Sequence, residues 1–223
     1  MSPLEKRSLR VGTILLLVLL VLGLARNIAA ELWLFPVFGG DADLAASWAY
    51  AVFVMTTNLF FFVGRIVAYV KLMGAGEIRD KALFLLILTI VTFAFTEGVA
   101  FLINRFSDND AVHLTLGFWL PLRILRLIAA IVLIKMFVQA AREAGGQLPK
   151  ALSGAYVGLA AISFIAGLVL ILWRLTDGHA WAFESDSTAA AARAAVIGFR
   201  TGVYYLGEAI ELVALVILLR LAK

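Results

Sequence analysis

The sequence predicts an all-α fold, a polytopic integral membrane protein whose six transmembrane helices form three antiparallel hairpins. Three observations carry that prediction. Of the 223 residues, 63% are hydrophobic and 15% charged, whereas soluble domains hold roughly 45–50% and about 25%. Six mostly apolar runs reach or exceed the ~20 residues that a helix needs to cross the hydrocarbon core. The segments between them carry turn chemistry and an alternating charge bias.

The first run, residues 10–35, follows Lys6, Arg7 and Arg10 and closes at FPVFGGDAD. Basic residues ahead of GTILLLVLLVLGLA also fit a signal peptide cleaved after Ala30, but Arg26 and Asn27 just before that point disfavour cleavage. The second run, 44–72, ends at Lys71 and MGAGEIRD. The third, 81–105, opens on Lys81 and stops at SDND. The fourth, 111–141, holds Arg123, Arg126 and Lys135 and gives way to AGGQLPK. The fifth, 150–175, is followed by TDGHAWAFESDS, and the sixth, 189–221, ends on Arg220. Several runs exceed the minimum, which predicts tilt or short extensions past the bilayer. Together they form a single transmembrane domain at 1–223, with no soluble domain left over.

Orientation follows from lysine and arginine. One side collects Lys6, Arg7, Arg10, Lys71, Arg79, Lys81, Arg142, Lys150, Arg220 and Lys223; the other collects Asp41, Asp43, Asp108, Asp110, Asp177, Glu184 and Asp186, with Arg105, Arg174 and Arg193 as its few arginines. Basic loops stay cytoplasmic, so both termini are expected inside, in a prokaryotic inner or plasma membrane. Trp33, Trp48, Trp119, Trp173 and Trp181 all fall toward the outer side, as an aromatic belt does. A pocket for a flat or lipidic ligand is the sharper reading of the same tryptophans. The net charge of +4 is scattered at run ends, which suits topology rather than nucleic-acid binding.

An internal repeat is also expected. Offsetting Lys81 onto Lys150 brings Phe95 onto Phe164, Gly98 onto Gly167, Arg105 onto Arg174 and Asp108 onto Asp177. Three hairpins descended from one would resemble transporters, whose sites lie between repeats. Gly64, Gly98, Gly167 and Gly207 are positioned to allow close helix contact.

The chemistry concentrates in charges at depth. Counting back from Lys135 and from Arg220 places Arg126 level with Glu211, and Arg123 level with Glu208. Residues three apart share a helix face, so R-x-x-R is expected to meet E-x-x-E within or between subunits. An unanswered charge at the bilayer centre costs from ~3 to over ~10 kcal/mol. Asn58, with Thr56 and Thr57 beside it, counts to the Arg123 level from Lys71. Arg26 and Glu97 match in depth as a second pair, each sixteen positions beyond a basic anchor. Arg65, without a matched acid, either snorkels to the interface or contacts an anion.

Much chemistry is excluded. The chain has no cysteine, so thiolate metal sites, thiol nucleophiles and disulfides are out. His113 and His179 stand alone in or beside outer loops, which argues against haem and metal centres. Glu208 and Glu211 lack the histidines of a di-iron site, and no Walker loop or G-x-S-x-G is present. No cofactor, metal or catalytic residue is expected. The leading function is a small transporter or channel whose Arg/Glu layer (Asn58, Arg123, Arg126, Glu208, Glu211) acts as gate or solute site. The alternative is a non-catalytic subunit of a larger membrane complex, and a lipid-modifying enzyme using the His179 loop ranks below both. Expected partners are membrane lipid and either further copies of the chain or other membrane subunits.

Overall fold

A computed structural model describes the backbone of residues 1–29, 44–105, 110–176 and 187–222. Among the described residues the chain forms α1 (Pro3–Ala29), α2 (Leu44–Met73), a 3-10 turn (Gly76–Ile78), α3 (Arg79–Arg105), α4 (Asp110–Glu143), α5 (Lys150–Thr176) and α6 (Ser187–Leu221). Each apolar run thus holds one helix. Five of the six, α1, α2, α4, α5 and α6, are long and apolar enough to cross a membrane. α3 is not among the five; it opens on Arg79, Asp80 and Lys81 and carries Glu97. The chain is a multi-pass helical membrane protein.

The helix starts follow local rules. α1 begins earlier than its apolar run because Ser-Pro-Leu-Glu forms a capping box. The Ser2 Oγ accepts from the Glu5 backbone N–H at 3.3 Å, and Ser2 N donates back to Glu5 Oε2 at 2.6 Å. Pro3, with no N–H to lose, takes the first helical position. α4 passes through Pro121, so the carbonyl one turn earlier loses its helical donor two residues ahead of Arg123.

Packing divides the chain into two compact units, Met1–Ile90 with Gln139–Gln147 and Leu212–Lys223, and Val91–Val138 with Leu148–Glu211. In the first, α1 lies along α2. The contact is made by small residues, as expected where lipid-like surroundings give no hydrophobic drive to association. A Cβ at Gly12 would stand 2.6 Å from Leu72 Cγ and 3.2 Å from the Ala68 carbonyl oxygen, and one at Gly64 would stand 2.5 Å from Leu19 Cδ2. The turn after α2 uses Gly76 at φ +69, a backbone shape that costs a side-chain-bearing residue ~1–2 kcal/mol. Lys81 Nζ donates to Gln139 Oε1, and Gln139 Nε2 donates to the Glu77 carbonyl at 3.1 Å, tying α3, α4 and that turn together. The α4–α5 turn closes on the end of α6, with Gly146 directly against Leu221.

In the second unit Leu122, Met136, Phe137, Tyr156, Ala166 and Val203 are buried. In the first unit Leu9, Ile78, Leu85 and Leu215 are buried, but many other large apolar side chains point outward. On α2, Met55, Leu59, Phe60, Val63, Val67 and Val70 are exposed while Ala68 and Leu72 are buried. A helix in water turns its apolar stripe inward; this one turns it toward lipid. Of the glycines expected at close contacts, Gly64 and Gly167 serve as such, while a Cβ at Gly98 or Gly207 would meet open space among the described residues. Trp33, Trp181, His179, Asp108, Asp177 and Ala30 lie outside the described residues, while Trp48, Trp119, Trp173, His113, Arg105 and Arg174 fall on helices whose backbone alone is described there.

Candidate functional site

Each unit holds one polar grouping at a helical depth where lipid is the alternative. In the first unit Arg26, near the end of α1, reaches across to α2. Its Nη1 donates to Asn58 Oδ1 at 2.9 Å and to Thr57 Oγ1 at 3.4 Å, and its Nη2 donates to Asn27 Oδ1 at 3.3 Å. The guanidinium carbon sits 5.3 Å from the centre of the Phe61 ring, within cation–π range. Among the described residues, the groups meeting Arg26 are therefore all neutral. The sequence assigned Arg26 to Glu97 and Asn58 to the Arg123 level. In the structure Arg26 and Asn58 bond to each other, because α1 and α2 are adjacent in chain and in space. Glu97, half-buried on α3, belongs to the other unit.

In the second unit Arg123 on α4 lies against α5 and close to α6. A Cβ at Gly167 would overlap the Arg123 guanidinium, so the α5 backbone forms one wall of its seat. Arg126 and Arg200 are both near enough for their charges to act on Arg123. Arg123 and Arg200 are half-buried, whereas Arg126 is exposed. Further along α6, Glu208 and Glu211 are half-buried, and the buried Tyr156 of α5 donates its hydroxyl to Glu211 Oε2 at 3.0 Å.

Arg200 escaped the sequence reading for one reason. Depths on the fourth run were counted from Lys135, but α4 continues to Glu143. Within the first unit Gly146 meets Leu221, seventy-five positions on, and within the second the charge of Arg200, seventy-seven on, acts on Arg123. The count from Lys135 used an offset of eighty-five. The difference of roughly eight residues is ~12 Å of helix. Counting from Arg142 instead would have put Arg200 beside Arg123. Along α6, Arg200 stands toward one end and the carboxylates, with Tyr156, toward the other. Of these five charged groups, Arg123, Arg126, Arg200, Glu208 and Glu211, three are positive and two negative.

Arg65, on α2, is exposed. No group of three or more metal-ligating side chains occurs among the described residues. Comparison with protein-family models, curated proteins and solved structures gave no match.

Proposed function

We propose that this chain is a small membrane transporter or channel for anionic or zwitterionic solutes, with six spans and both termini cytoplasmic. The observation that carries the reading is the convergence of Arg123, Arg126 and Arg200 on two membrane-length helices, with a surplus of positive charge over Glu208 and Glu211. Ionisable groups at such depth face a water-filled path or a partner rather than lipid. The arginines supply a seat for negative charge. Glu208 and Glu211, the latter held by Tyr156, supply the counter-charge that a solute displaces or that closes the path. Arg65 is the anion contact toward the cytoplasmic end of α2.

Flux in proteoliposomes tests the gating role. Glu208→Gln is expected to change the rate while leaving the folded yield near wild type; parallel loss of fold and flux would remove Glu208 from the gate.

A second reading, as a subunit of a larger complex or a homo-oligomer, draws on Arg65 and Arg126, which are exposed on helices of membrane-spanning length. Native mass spectrometry of material taken gently from its membrane separates these: foreign polypeptides favour the subunit, and whole multiples of the chain favour the oligomer.

A further inference from the structure

Arg26 has an unfinished coordination. A guanidinium carries five N–H donors. Three of its hydrogen bonds go to Asn58, Thr57 and Asn27. Two donors therefore remain without an acceptor among the described residues, and no carboxylate neutralises the charge there. Pinning α1 to α2 does not account for this. The Nη1 hydrogen bonds and the Phe61 ring contact reach α2, and none of them uses Nε or the second Nη2 hydrogen.

Depth indicates what completes the shell. Arg26 lies sixteen positions beyond Arg10, ~24 Å along the helix, and within a turn of the end of α1 at Ala29. With a hydrocarbon core ~30 Å thick, an inner boundary near Arg10 puts Arg26 close to the opposite phosphate level. Leu22 and Val18 follow at four and eight positions toward the bilayer centre, on the same helix face, and both are exposed. An anion held at Arg26 would thus have open apolar helix surface directly beneath it.

We infer that Arg26 binds the phosphate of a phospholipid, whose acyl chain lies along Leu22 and Val18. The remaining N–H donors hold phosphate oxygens, a geometry that arginine favours over lysine. Asn58, Asn27 and Phe61 hold the guanidinium in place, so little order is lost on binding. A free oxyanion would use the donors but not the apolar strip, and the strip selects the lipid.

The test is native mass spectrometry of the delipidated full-length chain titrated with palmitoyl-oleoyl phosphatidylglycerol and with the matching diacylglycerol, which lacks the phosphate. The wild type should bind the first phosphatidylglycerol about tenfold or more tightly than diacylglycerol, as fits charge-assisted hydrogen bonds. Arg26→Gln should abolish that preference. Arg26→Lys, which keeps the charge and loses the planar fork, should lower it several-fold. Millimolar sodium phosphate should leave the lipid bound. Equal binding of both lipids by the wild type would overturn the proposal, as would an unchanged preference in either variant. Displacement by inorganic phosphate would mean that the site takes a soluble oxyanion. The lipid comparison on wild type needs no substitution, so a variant that fails to fold leaves the test standing.

Discussion

At the scale of the residue, two carboxylates show how context sets the cost of a charge. Glu211 is half-buried and accepts a hydrogen bond from Tyr156. Hydrogen bonds to a charged group contribute about 1.5–3 kcal/mol, so Tyr156→Phe should lower the Tm measured in mild detergent by several degrees. No change would mean that Tyr156 does not restrain Glu211. Glu143 is the opposite case. It ends α4 near Glu77 and Glu5, and its Oε1 is buried with no hydrogen bond among the described residues. Glu143→Gln removes the repulsion and supplies a donor, and should raise the Tm by about 2–4 °C. A fall would show that the carboxylate has a favourable partner. Neither residue stands out in the sequence. Tyr156 lies in an ordinary apolar run, and Glu143 becomes notable only once the Gly76 turn brings Glu77 and Glu5 beside it.

At the scale of the element, the contact between α1 and α2 depends on how much each glycine's neighbour can yield. At Gly12 a methyl would press on Leu72 and on the Ala68 carbonyl oxygen, which is backbone; at Gly64 it would meet only the tip of Leu19. Overpacking typically costs about 1–3 kcal/mol. Gly12→Ala should therefore fall toward the upper end and Gly64→Ala toward the lower, with Tm ordered wild type, Gly64→Ala, Gly12→Ala. The reverse order would show that α1 and α2 meet differently. Helix positions were legible in the sequence because MGAGEIRD and AGGQLPK break apolar runs with residues that cannot continue a helix. What was not legible is how α4 stands against α6. An apolar helix gives no signal of its depth except its charged ends, and α4 offers Lys135 and Arg142. Taking the first hid Arg200. Arg26 was likewise matched by depth to Glu97, although adjacency in the chain favoured Asn58 on the neighbouring helix.

At the scale of the whole molecule, exposed aliphatic side chains cover the helices while arginine, glutamate and tyrosine gather inside one of the units. That inversion of a soluble fold was readable from composition alone. Its functional meaning depends on Arg123, Arg126 and Arg200, which no count of hydrophobicity reveals. Three cations near one another in a membrane repel, and their surplus over the two carboxylates favours an anion. The direct measurement is flux from vesicles reconstituted with the wild-type chain alone, loaded in parallel with a small anion and a small cation. Passage of the anion well above both the cation and protein-free vesicles is the expected result. Folded protein that passes neither, or that passes the cation in preference, would contradict an anion path past these arginines.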